Sequence, residues 1–320
     1  GVDRLLPLPP AARAQKTDDT TDPRFLRTAW AANTLLALTL FVAGMITQLK
    51  HGFWQPPPVQ SMSTVPVLAG SLLQDSLVPS GNLYPLMLIP AYFQAVVFVA
   101  VGLLLFVRKS RDVMGILASW MLIAVGLGFS PTIFFLPLLA PAWHLPVSLF
   151  QAGLFVSSFL FLCLFPNGRF LPRWSRYAAL AWLAFTLLWL PFPQLNLHRA
   201  TTIWPPLIFV GVIFLGLSFQ IIRYRQLSEP DEKQQTKWVI AGFAIANCGL
   251  FGVVLLASLG VIQSTVYVGL AMLLLGMASL FIPLTISVAL FRYRLWDIDI
   301  IINRTLVYGG LSLGIVAVYV

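Results

Sequence analysis

Residues 204–238 read WPPLIFVGVIFLGLSFQIIRYRQLSEPDEKQQTKW, and this stretch decides the fold. The part from Trp204 to Ile222 carries no charge. It is close to the ~20 residues that an α-helix, rising about 1.5 Å per residue, needs to cross a hydrocarbon core of about 30 Å. A basic segment follows, with Arg223, Arg225, Lys233 and Lys237, before Trp238 opens a second apolar run. Ser228 suits an N-cap, and Glu229, Asp231 and Glu232 suit the positive end of a helix, with Lys233 one turn beyond Glu229. The second run is therefore expected to begin as a solvated helical turn at Glu229 and to enter the bilayer at Trp238, whose ring favours the membrane interface.

The same unit of span and charged loop repeats along the whole chain. Over its 320 residues, 58% are apolar and only 10% charged, against about a quarter charged in soluble domains. Mean hydropathy is +0.86. The reading is an all-α, polytopic transmembrane helical bundle. Complete spans are expected at 29–48, 85–107, 113–139, 147–165, 177–190, 204–222, 238–259 and 267–291, with a ninth beginning near 306 and still apolar at Val320. Residues 1–23 read as a flexible tail and 50–84 as an outer loop, apolar enough in 65–73 to fold back on the bundle. The bundle proper is 24–291. Gly1 in place of a start Met suggests a processed product or a fragment.

Charge orients the bundle, because cytoplasmic loops are enriched in Lys and Arg. With the N-terminus inside, 18 of the 20 basic residues fall on the inner side, and only Lys50 and Arg199 lie outside. The short fifth span passes the same test. Were it not to cross, the split would drop to 12 against 8. The net charge of +9 is spread over five inner segments as topology signals and forms no compact basic patch, so no nucleic-acid partner is expected; the positive residues face the lipid bilayer.

The spans exclude several chemistries. All 11 acidic residues lie in loops or tails, which argues against a proton-coupled pump, whose work needs ionisable groups at mid-bilayer. His51, His144 and His198 map outside, so no pair is available to hold a haem, and no HExxH, nucleotide-binding loop or catalytic serine constellation is present. No catalytic residue, metal ligand or cofactor is expected here. Cys163 and Cys248 fall inside spans as small apolar residues. Asn33, Gln94, Gln151 and Asn247 are expected to hydrogen-bond between helices, and Gly242, Ala246 and Gly249 to present one small face to a neighbouring helix.

Residues 292–305 stand apart from the other loops. Leu295, Ile298, Ile301 and Ile302 recur at helical spacing while Arg294, Asp297 and Arg304 point elsewhere, which predicts a short helix lying in the membrane interface. Asn303-Arg304-Thr305 matches a glycosylation sequon on the wrong side of the membrane.

Three loop motifs, 165–170 (FPNGRF), 234–238 (QQTKW) and 293–299 (YRLWDID) followed by 303–309 (NRTLVYG), occur in an order that resembles one bacterial family. It is the N-terminal multi-span membrane region of sensor histidine kinases of the competence-pheromone receptor type, together with related uncharacterised membrane proteins of filamentous green bacteria. The similarity covers roughly 150–320. It implies a multi-pass protein of the bacterial cytoplasmic membrane that senses or couples a signal. In that family two spans and a cytoplasmic region follow, often with a phosphorylated His and an ATP-binding domain, although some relatives lack a kinase domain. With no cytoplasmic His, this segment is not itself the phosphoacceptor. The charged, amphipathic pattern of 292–305 makes Arg292, Arg294, Asp297, Asp299, Asn303 and Arg304 the expected signal-coupling or partner-binding residues, toward a protein partner or a further C-terminal domain on the cytoplasmic side. The alternative is a structural accessory subunit of a larger photosynthetic or respiratory membrane complex.

Overall fold

The protein, seen in a computed structural model, is described over residues 23–51, 84–130, 132–133, 136–137, 140–192, 195–196, 204–226, 229–258 and 265–291. Among these residues the regular structure is helical throughout, without strands. The helices are α1 (Pro23–His51), α2 (Tyr84–Lys109), α3 (Val113–Gly128), α4 (His144–Leu164), α5 (Ser175–Leu187), α6 (Trp204–Gln226), α7 (Pro230–Ser258), α8 (Thr265–Ser279) and α9 (Phe281–Phe291). Five stretches among the described residues are long and apolar enough to cross a membrane: Arg24–Gln48, Ile89–Lys109, Pro141–Leu164, Pro230–Val253 and Leu273–Phe291. The chain is a membrane protein built of apolar helices, and the outward faces of those helices carry large apolar side chains such as Leu35, Val96, Leu274 and Leu284.

The centre is α3, which starts at Asp112, whose side chain accepts from the Met114 N–H at 3.1 Å as an N-cap should. Thirteen of its 16 residues are buried, the mark of an interior helix that is apolar all round. It touches α1, α2 and α4. Glycine makes this close approach possible: a Cβ on Gly102 would stand 2.7 Å from Ile123, and one on Gly128 2.0 Å from Leu154. Polar pairs fix the register. Trp120 donates to Asn33 at 2.8 Å, Trp30 donates to Ser119 at 3.0 Å, and Ser119 donates to the Gly102 carbonyl at 2.6 Å.

Two of the expected spans, the third and the fifth, differ from their sequence reading. The third was expected as one helix over 113–139, but α3 stops at Gly128 and helical backbone resumes only at Thr132. Pro131 explains the break, since it has no N–H to donate and pushes Ser130 out of the helical region. The eighth, expected over 267–291, stays one apolar stretch over Leu273–Phe291, and across the α8–α9 boundary the Leu280 N–H bonds the Gly276 carbonyl at 3.2 Å and the Leu284 N–H the Leu280 carbonyl at 3.3 Å. Pro283 removes the donor that the Ser279 carbonyl needs. The fifth is α5, only 13 residues, or about 20 Å at the helical rise and short of the ~30 Å core. It nevertheless runs back along α4: Trp182 donates to the Phe155 carbonyl at 3.1 Å and Asn196 donates to Gln151 at 2.7 Å.

Two apolar clusters hold the bundle. One joins Leu40 of α1, Ile123 and Leu127 of α3, Phe150, Phe155 and Phe159 of α4, Trp182 of α5 and Phe219 of α6. The other joins Phe98 of α2, Met114 and Leu122 of α3, Phe161 and Phe165 at the end of α4, Val239 and Phe243 of α7, and Ile286 and Phe291 of α9. On α7, Gly242 meets Thr285 and Phe281, and Gly249 meets Ala278, so the small face read from the sequence does seat the neighbouring helices α9 and α8.

Candidate functional site at the basic end of the bundle

The basic segments gather at one end. Arg27 donates to the Ser110 carbonyl between α2 and α3 at 2.8 Å, and the Lys237 ammonium lies 5.7 Å from the centre of the Tyr224 ring. At this end α4 terminates in a left-handed turn. Gly168 sits at φ +74°, where a Cβ would be strained, and its N–H bonds the Leu164 carbonyl at 2.9 Å. Asn167 accepts from the Arg169 N–H at 3.3 Å.

The last carbonyls of a helix lack intrahelical donors, and here α6 supplies them. Gln220 and Arg223, one turn apart on α6, reach the same face. Gln220 donates to the Leu162 carbonyl at 2.5 Å and the Phe165 carbonyl at 3.1 Å. Arg223 donates to the Phe165 and Arg169 carbonyls and, at 2.7 Å, to that of Cys163. Both side chains are fully buried. A guanidinium stays protonated even when buried, and its fork of donors suits several carbonyls at once. A cation at the C-terminus of α4 is also favoured by the helix dipole, by up to ~2 kcal/mol in a buried setting. Arg223 is thus a clamp that ties the 165–170 turn to α6.

Two buried atoms of the clamp itself, Arg223 Nε and Gln220 Oε1, have no hydrogen-bond partner among the described residues. Groups of this kind are ordinarily hydrogen-bonded, so the clamp has donors and acceptors to spare for water or for a second arrangement. Beside it, Phe165 from the first loop motif packs in the same apolar cluster as Val239, with Trp238 of the second motif against it and Phe291 at the end of α9. Stretches more than 50 residues apart in the chain meet here.

The six residues 292–305 singled out from the sequence, Arg292, Arg294, Asp297, Asp299, Asn303 and Arg304, lie outside the described residues, as do Ser228, the 1–22 part of the tail, 52–83 of the outer loop and the 306–320 run. The segment leaves from Phe291, which is buried in the cluster. Reading the sequence missed Gln220 and took Arg223 only as a topology signal. The usable sign was a Gln and an Arg at helical spacing on the last turns of an otherwise apolar helix. Among the span polars, Asn33 and Gln151 do bond to other segments, whereas Asn247 donates to the Phe243 carbonyl of its own helix at 2.7 Å.

Gln94 is different again. It lines a groove of about 170 Å³ between α2 and α8, with Ile89, Pro90, Phe93, Leu273, Gly276, Met277 and Leu280. No group of His, Cys, Asp and Glu suited to a metal ion occurs among the described residues. The fold and site define an all-α membrane protein with a polar clamp at its basic end. No family model matches the chain, and neither a curated protein nor a solved structure matches it.

Proposed function

We propose that this chain is the membrane-embedded sensing or signal-coupling region of a bacterial signalling protein, seated in the cytoplasmic membrane with its N-terminus and basic end inside. In this reading the eight apolar segments all cross, the short α5 with local thinning of the bilayer, and a ninth span begins near 306. One observation carries the proposal. Residues from the first two loop motifs, and Phe291 immediately before the third, meet in a single apolar cluster beside the Arg223 clamp. A change in the packing of α4 against α6 therefore reaches α7 and α9 together. Through α9 it reaches 292–305, where Arg292, Arg294 and Arg304 meet lipid phosphates and Asp297, Asp299 and Asn303 are offered to a partner.

Orientation is tested at the two ends of α4. Ala142 and Asn167 are both exposed, so cysteines there report sidedness without burial. A membrane-impermeant thiol reagent added to intact cells is expected to label Ala142→Cys and spare Asn167→Cys; the reverse pattern contradicts the orientation. Function is tested by Asp297→Asn with Asp299→Asn in the full-length protein. Output or partner recovery is expected to fall while insertion stays intact, because acidic residues contribute little to topology. Unchanged output, with the chain co-migrating with a large pigmented or redox complex on a native gel, favours an accessory subunit instead.

A further inference from the structure

The turn between α4 and α5 carries positive charge that the protein itself does not neutralise. Arg169, Arg173 and Arg176 are all exposed and make no ion pair with a described residue. The sequence gives the reason: no Asp or Glu occurs between Asp112 and Glu229. The other basic segments at this end differ. Arg108, Lys109 and Arg111 run directly into Asp112, and Arg225, Lys233 and Lys237 share their segment with Glu229, Asp231 and Glu232. Arg176 donates to the Tyr177 hydroxyl at 2.6 Å and lies over that ring, which leaves the rest of its five-donor fork unused. The backbone below is held in place, because Arg223 bonds the Arg169 carbonyl and the Ser175 N–H bonds that of Pro172 at 2.9 Å. Three unpaired guanidinium groups on a fixed turn form a preorganised anion site, and the positive end of α5, which has no acidic residue in its first turn, adds to it.

The surroundings say what kind of anion. Trp174 is 51% exposed and Tyr177 59%, although Trp174 also packs edge-on against Phe219 of α6 with ring centres 4.8 Å apart. Exposed aromatic rings of this type sit at headgroup level. Below them α5 has two faces. Ala179, Trp182 and Thr186 are buried against the bundle, whereas Leu180, Leu183 and Leu187 are exposed. The spacing of these leucines from Arg176 is four, three and four residues, so cation and apolar stripe share one helix face. A charged end continued by hydrocarbon surface matches an amphiphile, and a free phosphate would leave the stripe unused. We propose that the α4–α5 turn binds the headgroup of an anionic phospholipid of the phosphatidylglycerol type, with its phosphate on Arg169, Arg173 and Arg176 and an acyl chain along Leu180, Leu183 and Leu187. The site does not depend on the coupling role assigned to the basic end.

The test uses the purified full chain in phosphatidylcholine nanodiscs doped with phosphatidylglycerol that bears a diazirine in one acyl chain, with labelled peptides mapped by mass spectrometry. Saturable labelling concentrated on 177–188 is expected, displaced by unlabelled phosphatidylglycerol and far less by added phosphatidylcholine or inorganic phosphate. Replacing Arg169, Arg173 and Arg176 together by Gln is expected to weaken the lipid on the order of a hundredfold, at about fivefold for each arginine. The same replacement of Arg108, Lys109 and Arg111 removes equal charge and should leave labelling of 177–188 nearly unchanged. Should the triple variant at the α4–α5 turn fail to insert, Arg173→Gln alone still decides through its fivefold loss. Labelling spread evenly over all lipid-facing helices overturns the proposal. So does equal displacement by phosphatidylcholine, or an equal loss from the two triple variants, which would reduce the effect to net charge. Displacement by inorganic phosphate as strong as by phosphatidylglycerol would make the turn a site for a soluble anion and overturn it as well.

Discussion

The basic end and the α2–α8 flank treat a side-chain amide inside the bundle in opposite ways. At the basic end Gln220 is fully buried and its amide nitrogen reaches two carbonyls at the end of α4, with Arg223 beside it adding three more bonds. On the flank Gln94 is half-buried and lacks a hydrogen-bonding partner among the described residues, over a glycine that leaves space. The first arrangement spends its donors on holding two helices together. The second leaves the amide against apolar walls and joins no helix to another by hydrogen bonds among the described residues.

The contrast yields three ranked substitutions. Arg223→Met removes three charge-assisted hydrogen bonds, each worth about 1.5–3 kcal/mol, so a loss on the order of 3 kcal/mol or more is expected in detergent-solubilised unfolding. Arg223→Lys should recover less than half of it, because a single ammonium cannot fork to carbonyls on Cys163, Phe165 and Arg169 at once. A lysine variant as stable as the parent would mean that charge at the α4 terminus matters and geometry does not. At the other extreme, Gln94→Leu is expected to change stability by less than about 0.6 kcal/mol, the mean value of a polar contact between membrane helices. A drop comparable to that of Arg223→Met would show that Gln94 is a structural partner and erase the contrast.

Much of the architecture was legible because the bilayer imposes it. Charge is excluded from hydrocarbon, so the positions of the helices follow from where Arg and Lys stop. The small face of α7 was legible for a similar reason: Gly242 and Gly249 recur at helical spacing and meet α9 and α8. Hydropathy records composition and is blind to hydrogen-bond donors, which is why Pro131 was read through as part of a continuous span. The clamp was not legible at all as a clamp. Arg223 bonds residues 54 to 60 positions earlier, and the one local sign that separates it from Arg225 on the same helix is Gln220 one turn before it. Its role exists only once α6 lies against the end of α4.

Arg223 holds the α4 turn in fixed relation to α6, and through α6 to the start of α7. Asn167 and Asp231 are both exposed and report that relation when each is replaced by a spin-labelled cysteine. Pulsed electron resonance in nanodiscs should give one narrow distance distribution for the parent chain. Arg223→Gln should broaden it, while Arg169→Gln, a change at an exposed side chain whose carbonyl is untouched, should leave it narrow. Indistinguishable distributions in the parent and Arg223→Gln would contradict the claim.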